Sequence, residues 1–337
     1  MTKGTKIFRI IICILLALTM LWSAFLGVLL IAAARELVLT TEYDIWVAGE
    51  PVTRYNAGDV LGDGTVWYDA YNNTIIFENA VIESERNIIF SAIDLNVELI
   101  GENKFICTNE EYGVGIYAGD NHLSKDLAIM GDGSLNIELP NKSSEALGIF
   151  AADLTVNADV TVITPDCENM VNGIVCDSSL ILLNDATVTV NNGAAKNGVG
   201  VRVRGNALLD EGTALKVSVN PGTAEICKGL SVSGDLFLGK DTSLEVSLDD
   251  ASTDLGECIR VTGFMDIGAD SKVAAYAKNA HAIECYGAIK ANKGAVISAV
   301  SDKKDSDIFC GGAIIDHGAD IEAEIDAVGG ICNKNEN

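Results

Sequence analysis

Four stretches of this chain follow one plan: GIFAADLTVNADVTVI (148–163), GIVCDSSLILLNDATVTV (173–190), GLSVSGDLFLGKDTSLEVSL (229–248) and AIECYGAIKANKGAVISAV (282–300). Each opens with a small residue and an aliphatic, passes a second aliphatic segment, crosses a short polar turn and ends in apolar–polar alternation. The opening apolar residues Ile149, Ile174, Val201, Leu230, Ile259, Ile283 and Phe309 recur at spacings of 25, 27, 29, 29, 24 and 26 residues. Self-similarity of this kind decides between a solenoid and a sandwich. A coil of about 25 residues with two or three short strands cannot bury its inward side chains alone, whereas neighbours stacked at ~4.8 Å bury a continuous apolar column.

The coil length specifies a right-handed parallel β-helix, and the absence of a six-residue repeat excludes the left-handed hexapeptide form. SERNIIFSAIDLNVELIGENKFIC (84–107) and GVGIYAGDNHLSKDLAIMGDGSLNIEL (113–139) fit as looser early coils. We therefore expect about nine coils over 84–330, a column of roughly 40 Å, followed by a polar tail, 331–337. A pair of β-sandwiches is the competing arrangement, because strands every 8 to 12 residues also suit that class. The chain has 33 Gly and only 4 Pro, as many tight turns between hydrogen-bonded strands require.

Ahead of the coils, the run from Ile10 to Ala34 holds 25 residues without a charge. As a helix it would extend about 37 Å, more than the ~30 Å hydrocarbon core of a bilayer. Its length favours an uncleaved anchor, while Ala32-Ala33-Ala34 resembles a signal-peptidase site and leaves cleavage open. Lys3, Lys6 and Arg9 precede the run, and Arg35 is followed at once by Glu36, so the positive-inside rule puts residues 1–9 in the cytoplasm and the coils outside the cell. The chain carries a net charge of −25, and everything after residue 34 sums to −28 once those three cations are set aside. Such a field repels nucleic acid, and none is expected as a partner.

A β-helix exposes raw strand edges at its ends, which natural proteins cover. YDIWVAGEPVT (43–53), with a Gly49–Glu50 turn, and TVWYDAYNNTIIF (65–77), with an Asn72–Asn73 turn, read as two hairpins that form an N-terminal cap over 43–83. In TVWYD, strand parity puts Val66 and Tyr68 on one face and Thr65, Trp67 and Asp69 on the wetter one.

YDIWVAGEPVT and DVLGDGTVWYDAYNNTIIFENAVI (59–82) resemble the opening of a module found on surface proteins of gut Firmicutes, the carbohydrate-binding domain-containing proteins. There an aromatic-Trp hairpin, a GDGTVxYD strand and an NTLTLxNAxI strand precede β-helical coils. The specific likeness covers about forty residues. Trp67 departs from the pattern, which has a small polar residue in its place. The resemblance implies a non-catalytic, carbohydrate-binding surface module. Trp67, Tyr71 and Trp46 are the candidate ligand-binding residues, as rings that could stack on a sugar, with cap packing as the plainer role for each. An adhesive surface protein bound to another protein is the alternative, and a polysaccharide-active enzyme the third reading.

No catalytic constellation stands out. His122, His281 and His317 are isolated, and neither a Gly-His-Gly turn nor an Asp-Asp pair beside an Arg-x-Lys strand occurs. No cofactor is expected. Asp249-Asp250 and Asp302, Asp305 and Asp307 offer oxygen ligands of the kind Ca²⁺ takes but lack D-x-D-x-D-G order, and solvated acidic turns explain them equally. Of nine cysteines, eight follow the apolar run, with no C-x-x-C. Cys176 and Cys285 fall two residues after a coil's opening aliphatic, and Cys258 and Cys310 directly beside one, positions that suit small apolar side chains in a stacked interior. Disulfides, with Cys167 and Cys176 nearest in sequence, are the alternative at an oxidising surface.

Overall fold

A computed structural model describes residues 18–31 and 41–333, except 110, 121–122, 141–143, 221, 223–224, 249–255, 279 and 303–305. The chain forms an all-β parallel solenoid of about eight turns, somewhat fewer than the repeat predicts. The last coil is the shortest of the column, Ile308 pairing with Ile325 after only 17 residues. Each full turn contributes a strand to three faces. In one turn these are Ile226–Val232 on the first face, Leu236–Leu238 on the second and Ser243–Leu248 on the third. In the early turns the second and third faces merge through the long strands Leu127–Glu138 and Leu154–Thr164, whose register shifts between Met130 and Ser134.

The repeat becomes a column. Ile149, Ile174, Val201, Leu230, Ile259 and Ile283 are in register on successive rungs, and none is more than 1% exposed. One shared interior of this kind excludes two sandwich cores. Each such side chain adds roughly 1.5–3 kcal/mol over an exposed one. The seventh opening residue is corrected by one position: Ile308, not Phe309, pairs with Ile283, and Phe309 lies beside Glu284 on the outside. The shift puts Cys310 directly on Cys285, inside the column.

The small residue before each column aliphatic has a steric cause. At Gly115, Gly148, Gly173, Gly200 and Gly229 a Cβ would lie 2.3–2.6 Å from the carbonyl oxygen of the next rung. The row ends at Cys258, whose Sγ contacts the Val246 and Tyr276 carbonyl oxygens, each at 3.3 Å. A second row marks the corner between the second and third faces. Asp185, Gly212, Asp241, Asp270, Gly294 and Gly318 all have positive φ, and the following Thr213, Thr242 and Ser271 are buried. Gly and Asp are the residues that tolerate this backbone.

Two hairpins cover the N-terminal end. Glu42–Val47 and Glu50–Thr53 pair antiparallel, and the former lies antiparallel on Ile89–Ser91 of the first face. Its turn is Ala48–Gly49, both at positive φ, rather than Gly49–Glu50, as a two-residue hairpin loop of that type demands. Val66–Asp69 pairs antiparallel with Thr74–Glu78, which already runs parallel to Leu95–Ile100, and Val81–Ser84 runs parallel to Glu102–Cys107. Solenoid pairing thus begins at Thr74, ten residues before the expected boundary.

Among the described residues no helix is long and apolar enough to cross a membrane. The helix over 18–31 takes 14 residues of the 10–34 run, about 21 Å, and the rest of that run lies outside the described residues. Leu21, Trp22, Phe25 and Leu30 on it are all exposed. Of the eight cysteines from Cys107 onward, seven are buried and Cys332 is exposed.

Candidate functional site: an aromatic column on the first face

The first face carries a column of outward side chains fixed by backbone register, antiparallel at its first step and parallel from there on. Trp46 pairs with Phe90, then Tyr117, Phe150, Val175, Arg202, Ser231 and Arg260 follow on successive rungs. Phe90 and Tyr117 stack with ring centroids 5.8 Å apart and planes 6° from parallel, and Tyr117 stacks on Phe150 at 4.8 Å and 17°. Rings stacked along the solenoid axis hide their faces in one another and turn their edges outward. Trp46 departs from the stack, with its plane at 60° to Phe90 and a centroid distance of 5.3 Å.

That departure opens a cleft of about 370 Å³ lined by Trp46, Gly49, Glu85, Arg86, Asn87, Phe90, Asn109 and Tyr112. Gly49, with φ +83°, leaves room for the Arg86 stem, whose Cδ would lie 2.3 Å from a Cβ at that position. Asn109 shapes the opposite wall: its amide donates to the Glu85 carbonyl oxygen at 2.9 Å, and its Oδ1 accepts the Glu111 and Tyr112 backbone N–H groups. Tyr112 is 45% exposed, and burial of the rest of it, with the Glu145 charge, raises its phenol pKa. Arg86 makes no ion pair among the described residues. The cleft can therefore offer part of the Trp46 ring, the Asn87 amide, the Glu85 carboxylate and the Arg86 guanidinium to a ligand.

Further along the same face the chemistry turns ionic. Lys228 reaches Glu257 at 2.6 Å, Arg260 also pairs with Glu257, and the Arg260 guanidinium lies 5.1 Å from the Tyr286 ring centroid. Arg202 is half-buried, and burial, with the nearby Arg204 charge, lowers its pKa.

The structure does not bring the three expected rings together. Trp46 lines the cleft, whereas Trp67 pairs with Ile76 on the second hairpin, half-buried and facing outward as its parity requires. Tyr71 projects from that hairpin's turn, 94% exposed. Phe90, Tyr117 and Phe150 were missed, although IIFS (88–91), GIYA (115–118) and GIFA (148–151) each put an aromatic directly after the column aliphatic.

Two other depressions have plainer explanations. One of about 390 Å³ on the second face is lined by Asp94, Asp126 and Asp153. Each of these carboxylates accepts a backbone N–H from the next rung, of Asp126, Asp153 and Ser179 respectively. They cap the rung corners. The other, about 400 Å³ on the third face, includes the exposed Lys216–Glu245 pair. No three His, Cys, Asp or Glu among the described residues converge as metal ligands. Asp307 is engaged by the Ser301 and Glu324 backbone N–H groups, while Asp249, Asp250, Asp305 and His122 lie outside the described residues. His281 meets the Ser306 carbonyl and hydroxyl through Nδ1 and lies against the Phe309 ring.

Compared with protein-family models, curated proteins and solved structures, the chain matches none. The class it belongs to, the parallel β-solenoid, rests on its own register.

Proposed function

We propose that this protein is a membrane-anchored, non-catalytic β-solenoid that binds a glycan at the Trp46 end of its first face. One observation carries the reading: Trp46 leaves the aromatic stack and lines a cleft with Arg86, Asn87, Asn109 and Tyr112. An apolar ring face beside a few polar groups suits a sugar, whose C–H and O–H groups lie on different sides. The likeness of the hairpin segment to carbohydrate-binding modules points the same way.

The adhesive alternative would need an open apolar strip. Val114, Leu147 and Val175 do form an apolar cluster on this face, but they are at most 8% exposed and Tyr117 and Phe150 pack against them. Little of that surface is free for a partner protein.

On a glycan array, residues 36–337 should give a signal that Trp46→Ala abolishes while the thermal midpoint moves by only a few degrees. A persistent signal in the variant rejects the site. Anchoring rests on the charge-free run 10–34 and on an apolar helix exposed all round, which water does not tolerate well. Protease added to intact cells should remove a C-terminal epitope; protection of the epitope would reverse the topology.

A further inference from the structure

Building on the glycan reading, we infer that the ligand is an anionic polysaccharide, carrying carboxylate or sulfate groups, which lies lengthwise along the first face from the Trp46 cleft to Arg202. The first support is the composition of one column. Glu85 lines the cleft, Glu145 lies beside Tyr112 and Glu257 is taken up by Lys228 and Arg260, yet the outward column from Trp46 to Arg202 contains no carboxylate. Five steps at ~4.8 Å make this track about 24 Å long, the scale of an extended oligosaccharide rather than a single sugar.

The second support is where the guanidinium groups lie. Every arginine beyond residue 54 belongs to this face or its border: Arg86 in the cleft, Arg202 and Arg260 in the column, and Arg204 at the exit of the Arg202 strand. Arg204 is held by Asp177 at 2.8 Å and Arg260 by Glu257. Arg202 has no ion-pair partner among the described residues, though half of it is buried. A partly desolvated cation without a counterion is unfavourable, and in a chain this acidic a neighbouring carboxylate would be an easy remedy. An oxyanion brought by the ligand supplies the missing partner. The planar guanidinium fork donates two parallel hydrogen bonds to a carboxylate or sulfate, which a lysine cannot reproduce.

The test uses the full chain in nanodiscs, with calorimetric titration of polygalacturonate, dextran sulfate and an uncharged β-glucan. Binding of one or both anionic polymers, with the uncharged glucan bound at least about tenfold more weakly, is expected, and which polymer binds identifies the oxyanion. Arg202→Gln should weaken that binding about tenfold with a melting temperature that does not fall. Arg202→Lys should recover only part of it, and Lys104→Gln on the third face should bind like the wild type. Equal affinity for the uncharged glucan, or wild-type affinity in Arg202→Gln, overturns the anionic inference and leaves the glycan reading standing. Failure of all three polymers to bind overturns both.

Discussion

The two ends of the solenoid solve the same problem in different ways. At the N-terminal end the backbone itself is covered: Glu42–Val47 lies antiparallel on the first rung, and Val47, Val52, Val60 and Tyr68 beneath the hairpins are at most 6% exposed. At the other end, Asp320–Glu322, Ile325–Ala327 and Ile331–Asn333 are the last described rungs. Val328 there is 73% exposed and Ile331 52%. The sequence DIEAEIDA (320–327) alternates, so that Asp320, Glu322, Glu324 and Asp326 flank this edge. Charged residues discourage edge-to-edge pairing without covering the edge. Backbone cover stabilises and protects; charge only protects.

The contrast can be broken most severely by putting one charge in each place. Ile174 is fully buried between Ile149 and Val201, so Ile174→Asp should cost about 4 kcal/mol or more and leave little folded protein. Ile325→Asp, on a part-exposed terminal rung, should cost about 1 kcal/mol. Chemical denaturation of both variants measures the difference, and equal losses would mean that the last rung is as well packed as the middle.

A smaller effect is expected at the glycine row. In Gly200→Val the new Cβ would lie 2.2 Å from Val217 Cγ1 and 2.6 Å from the Gly229 carbonyl oxygen. Both neighbours belong to the packed interior, so the loss should be about 3 kcal/mol. Gly330→Ala meets nothing within 4 Å, although its φ of +74° still imposes about 1 kcal/mol of strain. A melt that ranks these two in the opposite order would show that the row is not steric in origin.

Acid should weaken the covered end and one rung corner in the body of the solenoid. Asp63 is held below the ordinary aspartate value of 3.8 by its hydrogen bonds from Thr65, and Asp69 by those from Tyr71 and Asn72. Asp153 is lowered chiefly by Ser178, then Ser179. A depressed carboxylate stabilises the fold above its unfolded pKa, and that stabilisation is lost as pH falls through the folded value. Below about pH 3.8, amide exchange over 59–78 and around Ser179 should therefore accelerate, and Asp153→Asn should remove the acid dependence at Ser179. Unchanged protection down to pH 2 would refute the role of these caps.

The mildest probe is a thiol reagent. Cys332, exposed on the last rung, should label in the native state. Cys176 and Cys227 should stay unlabelled until the protein unfolds, because burial raises their thiol pKa values, that of Cys227 to about 12. Cys332→Ser should not shift the melting temperature, and native labelling of Cys227 mapped by peptide would show that the interior opens.

Sequence alone determined what repeats. The column from Ile149 to Ile283 was legible because its period is sustained over six coils and stacking is the only way to bury it. The parity of Trp67 was legible because side-chain direction along a strand is a local property. Register was not. Ile308 and Phe309 are adjacent and both apolar, and pairing with the previous rung alone selects Ile308. The same holds for the candidate site. Trp46 comes from a hairpin and Phe90, Tyr117 and Phe150 from three later turns, separated by tens of residues, so that only the pairing of Trp46 with Phe90 makes them neighbours. Orientation was also a tertiary matter, since stacking turns three of those rings edge-outward while the hairpin tilts Trp46 away. Periodicity is written along the chain; which residues meet across it depends on contacts no local pattern encodes.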